Sequence, residues 1–251
     1  MIKLMQGDCI EQMKEIPDDS IDMLLTDPPY SSGGLFSGQR KASTSTKYCD
    51  NKYSGAAACP DFTGDNRDQL SFLYWEMLWI SKVMEKLKSG AIACIFTDWR
   101  QISATITALQ CGGLIFRGIV VWDKGSSRNI PYRFRNDCEY IVWGTKGNRS
   151  IKVKDVVHVY PGCYHIKGMN TRKKHHQTEK PIELLEKLIQ ISPENGTVLD
   201  CFMGSGSTGV ACLNTNRNFI GIELGKNYFE IAEQRIHEAE QKNITDKNVA
   251  S

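Results

Sequence analysis

The stretch TVLDCFMGSGSTGVAC, residues 197–212, is the part of the sequence that decides the fold. An apolar run of strand length is followed by a glycine-rich turn and then by a helix-like pattern that begins at Ser207. The glycines of the turn are Gly204, Gly206 and Gly209. This G-x-G-x-x-G spacing between a strand and a helix is typical of a turn that holds a nucleotide cofactor, because glycine lets the ligand approach the backbone and the helix N-terminus offers N–H donors.

The residues around this glycine turn favour one kind of cofactor over another. About one strand and one helix follow the turn, whereas a dinucleotide fold needs two βαβαβ halves. Asp200 before the turn and Glu223 at the end of the next strand give the predicted cleft a negative charge, and Glu223 can accept hydrogen bonds from ribose hydroxyls. S-adenosylmethionine, which carries a sulfonium, suits such a cleft better than a pyrophosphate does. A nicotinamide oxidoreductase and a turn that binds nothing remain alternatives at this point.

A second stretch, DMLLTDPPY at residues 22–30, ends a buried-looking strand in an acid, two prolines and an aromatic residue. Proline fixes φ and has no N–H to offer to a sheet. The prolines therefore predict either a tight exit from the strand or a rigid edge of an active site.

Elsewhere, strand-like apolar runs alternate with helical patterns through most of the chain. Such alternation predicts an α/β fold, a doubly wound and mostly parallel Rossmann-like sheet. The pattern of residues 69–90 predicts a helix that ends at Gly90, and the last residues, 243–251, read as a frayed polar tail.

Two stretches interrupt this alternation within what we expect to be one domain, residues 1–251. Residues 31–65 are rich in Ser, Gly, Ala and Thr and are too long for an ordinary connection, so they predict a mobile lid. Residues 145–176 combine weak strand patterns with basic composition and predict a small extension.

The net charge of +2 conceals an uneven distribution of charge. Residues 117–180 contain fourteen Lys or Arg against five Asp or Glu, which favours a surface that faces a polyanion over an ordinary solvated surface.

The nine cysteines are odd in number and form no C-x-x-C pair, so we expect reduced thiols in a cytoplasmic protein. No segment has the length and apolarity of a membrane span, and we expect no membrane association. Cys163, His165, His175 and His176 match no common zinc spacing, and we expect no metal site.

Taken together, DPPY at 27–30 and DCFMGSGST at 200–208 resemble the amino-group DNA methyltransferases. That family has a catalytic tetrapeptide [DNS]-P-P-[YFW] and a cofactor loop F-x-G-x-G. The tetrapeptide precedes the cofactor loop here, which resembles the circularly permuted β-class. The segments GDCIEQMKEIPDDSIDMLLTDPPY, DCEYIVWGTKG and HQTEKPIELLEKLIQISPENGTVLDCF are also similar to parts of this family, so the matches run from about residue 3 to about residue 240.

The resemblance implies an S-adenosylmethionine-dependent enzyme and assigns roles to particular residues. The implied catalytic residues are Asp27, Pro28, Pro29 and Tyr30. The implied cofactor-binding residues are Asp8, Cys9, Asp27, Lys180, Asp200, Phe202, Gly204, Gly206, Ser207, Thr208 and Glu223. Asp8 has a second interpretation, because an Asp before CIEQM is also typical of a helix N-cap.

These residues suggest a mechanism for methylating an exocyclic amine, whose lone pair is delocalised into the ring. We expect the Asp27 carboxylate and the Pro28 carbonyl to accept the two amine hydrogens, so that the lone pair points at the sulfonium methyl. Tyr30 would stack on a base flipped out of the duplex. Asp at the head of the tetrapeptide favours adenine N6 by resemblance, and cytosine N4 is the alternative. RNA or a protein amide as substrate, and a binding module without catalysis, are further alternatives.

Duplex DNA is the expected partner, gripped by basic residues of the positively charged segment. The candidates are Arg128, Arg133, Arg135, Lys152, Lys154, Arg172, Lys173 and Lys174. The resemblance also allows a homodimer, and either a cognate restriction enzyme as partner or none, as in an orphan or phage-borne enzyme. Because the extension is small, we expect a short or relaxed recognition site, or help from a second subunit in recognition.

Overall fold

The computed structural model describes residues 1–30, 67–125, 131–132, 134–149, 158–168 and 179–249, with side chains described as far as residue 243. Its strands are β1 Ile2–Gln6, β2 Ile21–Thr26, β3 Leu87–Thr97, β4 Ile115–Asp123, β5 Cys138–Thr145, β6 Cys163–His165, β7 Thr197–Asp200 and β8 Asn218–Glu223. Its helices are α1 Cys9–Gln12, α2 Gln69–Lys86, α3 Ile102–Cys111, α4 Ile182–Ile189, α5 Ser207–Asn214 and α6 Lys226–Val249, and a 3₁₀ turn spans Met13–Glu15.

These strands form one mixed sheet in the order β1-β8-β7-β2-β3-β5-β4-β6. The first five strands in this order, β1, β8, β7, β2 and β3, pair in parallel. The next strand, β5, runs antiparallel to both of its neighbours. The predicted doubly wound, mostly parallel α/β fold is confirmed.

The central strand β2 is buried on both faces, as expected for a parallel strand covered by helices. Because side chains alternate along a strand, Leu24 packs in the core on one face, with residues of α2 and α3. Met23 and Leu25 pack in the core on the other face, with residues of α4, α5 and α6. The apolar run in DMLLT therefore specifies a strand at the centre of the molecule.

The direction of winding reverses between β7 and β2. From β7 the chain proceeds through α5 to β8, and from β2 it proceeds through α2 to β3 on the opposite side. In open α/β sheets, ligands bind at the carboxyl ends of the strands that flank such a reversal. These ends are joined here by a hydrogen bond, in which the Thr26 hydroxyl donates to Asp200 Oδ1 at 2.7 Å. The two sequence motifs therefore begin side by side.

Two element boundaries differ from the prediction. The helix α2 ends at Lys86 rather than Gly90, because Leu87 is extended and pairs with Ile21 at the start of β2. The register then shifts, and Gly90 has φ +78°, a conformation that favours glycine. Gly90 is therefore part of an irregular strand and not of a helix end. The helix α6 continues to Val249, so the predicted frayed tail is wrong over most of its length.

The structure adds a short strand, β6, that the sequence did not predict. It pairs in parallel with β4 and lies at the edge of the sheet. The predicted lid, 31–65, and much of the predicted extension, 145–176, lie outside the described residues. No helix in the described ranges is long and apolar enough to cross a membrane.

Candidate active site

A cleft of about 330 Å³ opens at the carboxyl edge of the sheet. Its walls come from the loops that follow β1, β2, β7 and β8, from the residues that precede α2 and α4, and from side chains within α2, β3 and α4. Both sequence motifs contribute to this one cleft. All four residues of DPPY line it, and so do Met203, Gly204, Ser205, Ser207 and Thr208 of the glycine turn, whereas the predicted cofactor residue Gly206 does not. The sequence separates these motifs by some 170 residues, and the sheet brings them together.

Two glycines of the turn, Gly206 and Gly209, are required by the packing of α6. Gly206, at the N-cap of α5, has φ +83°, and a Cβ placed there would lie 3.0 Å from the Ala232 side chain. A Cβ on Gly209 would lie 2.5 Å from Ile236. The turn therefore lets α6 approach closely, while the backbone of Gly204 remains on the cleft.

The two hydroxyls at the start of α5 point into the protein. Ser207 Oγ donates to Glu179 Oε1 at 3.3 Å, and Thr208 Oγ1 donates to Asp200 Oδ2 at 2.6 Å. From α6, Arg235 binds Glu179 at 2.7 Å and the carbonyl oxygen of Ser205 at 2.8 Å. These contacts fix the conformation of the turn beneath any ligand.

Asp200 is a structural centre of the site. Its Oδ1 accepts from the Thr26 hydroxyl and from the Phe202 N–H, and its Oδ2 accepts from Thr208. Burial raises the pKa of Asp200 to about 6, and the hydrogen bonds oppose that rise. Asp200 lines the cleft as predicted, but its carboxylate joins β2, β7 and α5.

Glu223 and Asp8 place carboxylates at the other end of the cleft. Glu223 accepts from the N–H groups of Gly204 at 3.0 Å and Gly225 at 2.7 Å, and burial raises its pKa. Asp8 caps α1 through Oδ1, which accepts from the Ile10 N–H at 2.9 Å, and Asp8 also lines the cleft. Its two interpretations are thus compatible. Burial raises the pKa of the neighbouring Cys9 thiol to about 12, so Cys9 is a neutral apolar contact.

An aromatic wall lines part of the cleft, and the sequence motifs predicted only Phe202 of it. The centre of the Phe202 ring lies 5.3 Å from the centre of the Trp75 ring and 5.3 Å from that of the Trp79 ring. The Arg67 guanidinium lies 4.2 Å above the Trp75 ring. Trp75 and Arg67 both line the cleft. Trp75 and Trp79 lie one turn apart on α2, but only Trp79 is fully buried, and Trp75 is half-buried.

The catalytic edge is built around Asp27. The Tyr30 hydroxyl donates to Asp27 Oδ1, and Lys180 Nζ donates to Asp27 Oδ2 at 2.5 Å. The Lys180 ammonium also lies 3.3 Å from Glu139 Oε2 and 5.3 Å from the centre of the Tyr30 ring. Lys180, which the resemblance assigned to the cofactor, is therefore bound directly to the predicted catalytic acid. Glu139 was not predicted as a site residue.

Burial and charge act in opposite directions on these groups. Burial raises the pKa of Asp27, and the Lys180 ammonium opposes that rise. Burial alone would lower the pKa of Lys180, but the carboxylates of Asp27 and Glu139 outweigh it and raise that pKa. Burial alone would raise the pKa of Glu139, but the nearby charges of Lys180 and Lys124 outweigh burial, and the pKa is lowered. Tyr30, whose pKa is raised well above its usual value by burial and by Asp27, stays a neutral donor.

Most of the predicted DNA-contacting residues, and also His175 and His176, lie outside the described residues. Of the basic candidates, Arg135 alone lies within the described residues, where it is exposed and pairs with Asp137 at 2.8 Å. His165 Nδ1 lies 2.9 Å from Asp123 Oδ2, and the described ranges hold no group of three side chains suited to a metal.

Comparison with known proteins agrees with this geometry. A family model described as DNA methylase matches residues 21–234. The type II methyltransferase M.HinfI of Haemophilus influenzae is 29% identical over 260 residues, which cover 94% of this chain and 68% of that protein. The crystal structure of the M1.HpyAVI–SAM complex is 28% identical, with a TM-score of 0.66, and the match covers 94% of this chain and 99% of that one.

The cytosine-N4-specific PvuII DNA methyltransferase shares the fold, with a TM-score of 0.68 at 17% identity over 96% of this chain and 92% of its own. These findings confirm the predicted cofactor, S-adenosylmethionine, and leave the choice of target base open. The chain belongs to the DNA methylase family of amino-group, S-adenosylmethionine-dependent methyltransferases.

Proposed function

We propose that this protein transfers a methyl group from S-adenosylmethionine to N6 of an adenine that has been flipped out of duplex DNA. One observation carries the proposal: the Asp27–Tyr30 edge and the glycine turn lie in the same cleft, on adjacent strands. A donor site and an acceptor site for one methyl group must meet in this way.

The residues present fit the cofactor. Asp8, Asp27 and Glu223 place three carboxylates around the cleft, which suits a ligand with a positive sulfonium. Glu223 lines the cleft and would accept from ribose hydroxyls in addition to its two backbone N–H donors. The Phe202–Trp75 wall would offer apolar surface to an adenine ring. When bound, the cofactor supplies an electrophilic methyl group.

Asp27 and Pro28 would act on the target amine. The Asp27 carboxylate and the Pro28 carbonyl accept the amine hydrogens, which favours a pyramidal nitrogen with a free lone pair. Pro28 and Pro29 stiffen the edge, and the bonds from Tyr30 and Lys180 hold the Asp27 carboxylate in one orientation. The site therefore works by positioning and by negative charge near the developing positive charge.

The choice of adenine over cytosine rests on Asp27 at the head of the tetrapeptide. Adenine N6 and cytosine N4 are both exocyclic amines beside a ring nitrogen, so the same acceptors serve either base. Cytosine N4 is the alternative target.

Duplex DNA as the substrate is supported by the basic composition of residues 117–180, because phosphate contacts need clustered Lys and Arg. A homodimer, and a partner restriction enzyme or none, remain predictions.

A transfer assay tests the proposed function. Tritiated cofactor is offered separately to duplex DNA, RNA and protein, and labelled DNA is digested to nucleosides. We expect label in N6-methyladenine. Label in N4-methylcytosine would show that cytosine, and not adenine, is the target base. Label confined to RNA or protein would reject DNA as the substrate.

A further inference from the structure

Four charged side chains of alternating sign run from the catalytic edge toward the surface. Lys180 Nζ lies 2.5 Å from Asp27 Oδ2 and 3.3 Å from Glu139 Oε2, and Lys124 Nζ lies 3.1 Å from Glu139 Oε1. We call Asp27, Lys180 and Glu139 the acid–lysine–acid cluster. The proposed mechanism uses Asp27 as an acceptor and Lys180 only to orient its carboxylate, and it leaves Glu139 without a role.

The fold brings the members of this cluster together from distant parts of the chain. Asp27 follows β2, and Lys180 lies just before α4. Glu139 is near the start of β5, and because β5 is antiparallel to β3, its start lies at the carboxyl edge of the sheet. The Lys180 side chain is only 6% exposed, so water screens its charge poorly.

The charges of the cluster have a clear consequence for the reaction. Asp27 and Lys180 alone form a neutral pair, which would offer little to a cationic methyl donor or to an amine that becomes positive as it is methylated. Glu139 restores a net charge of −1 behind the pair. Lys124 is the more exposed lysine, at 25%, so its charge cancels less of this field.

We propose that Lys180 and Glu139 are positioning residues with opposite tasks: Lys180 keeps Asp27 an oriented, ionised acceptor, and Glu139 keeps the catalytic edge net negative. This inference rests on the proposed function. It concerns residues that touch Asp27 directly or through Lys180.

The groups that face Asp27 act on its pKa in both directions. Lys180 lowers it and Glu139 raises it, while the Tyr30 hydroxyl donates to it and lowers it. The buried Asp200 interacts with Asp27 from β7, and Asp98, at the end of β3, interacts with Tyr30. Removing Lys180 should therefore raise the pKa of Asp27, and removing Glu139 should lower it.

The test measures the single-turnover rate of methyl transfer to duplex DNA against pH, so that product release does not limit the rate. In Lys180→Met the acid limb of the profile should move to higher pH than in the wild type. In Glu139→Gln it should move to lower pH, while the plateau rate falls about 10- to 100-fold because the edge loses its net charge. Lys180→Arg, which keeps the positive charge, should return the limb to its wild-type position.

Matched measurements exclude a loss of structure as the cause. Lys86 is also a poorly exposed lysine, 2.5 Å from Asp18, but it lies at the opposite end of the sheet, so Lys86→Met should leave the profile in place. Every variant is checked by thermal unfolding with and without S-adenosylhomocysteine. If the acid limbs of folded Lys180→Met and Glu139→Gln stay at the wild-type position, or both move in the same direction, the inference is overturned. A wild type that methylates no DNA would instead reject the proposed function.

Discussion

Glu76 provides a sharp test of the buried polar structure that supports the site. It lies in α2, is fully buried, and accepts one hydrogen bond, from Thr105 at 3.2 Å. Thr105 in turn lies 3.2 Å from Thr97, at the end of β3. Burial raises the pKa of Glu76 to about 8. The folded protein therefore keeps this side chain protonated at pH 7, whereas the unfolded chain ionises it.

The sign and size of the effect follow from linkage. Between pH 4.5 and about pH 8 the folded state binds one more proton than the unfolded state at this residue, so its contribution to stability falls as pH rises. At about 1.4 kcal/mol per pH unit, the loss across this window is on the order of 4–5 kcal/mol. Below this window both states hold the proton, and the contribution is fully present.

Glu76→Gln removes the titration while keeping the shape of the protonated acid. The free energy of unfolding of this variant should exceed that of the wild type by an amount that grows from pH 5 to pH 8, to several kcal/mol. Urea unfolding at four pH values in this range measures it. Glu85→Gln, an exposed change on the same helix, should alter stability by less than about 0.5 kcal/mol at each pH. A difference between Glu76→Gln and the wild type that does not change with pH would refute the reasoning.

Two further substitutions test the cofactor side of the cleft. Gly206→Ala should lower the free energy of unfolding by about 1–3 kcal/mol, because it adds a Cβ at φ +83° that presses on Ala232; denaturant unfolding measures this, and an unchanged midpoint would contradict it. Trp75→Ala should weaken the binding of S-adenosylhomocysteine by about 10-fold in calorimetry, through loss of an aromatic contact, while Leu78→Ala, an exposed position on the same helix, should not; equal affinities would remove Trp75 from the site.

The parts of the site that could be predicted from the sequence are those specified by short contiguous motifs. The glycine turn and DPPY each follow a strand within a few residues, and their spacing reflects the turn that each must make. Parallel strands place their carboxyl ends at one edge, so the meeting of Asp27 with the glycine turn followed from the fold class.

The parts that could not be predicted depend on contacts between distant segments. Glu139 reaches the catalytic edge only because β5 reverses direction, and a run such as DCEYIVWG does not state the direction of its strand. Asp200 carries the right charge for a cofactor contact, yet Thr26 and Thr208 occupy both of its oxygens. Trp75 has the helical spacing of a core residue, and its exposure to the cleft depends on where α2 lies.

Methyl transfer by Asp27→Ala tests the central claim most directly. In this variant Lys180 keeps Glu139 as a partner, 3.3 Å away, so the substitution does not leave its buried charge unpaired. The wild type should transfer tritiated methyl groups from S-adenosylmethionine to adenine in duplex DNA. The variant should fold, bind S-adenosylhomocysteine, and transfer at least about 10³-fold more slowly. Undiminished transfer by correctly folded Asp27→Ala protein would contradict the assignment of the catalytic edge.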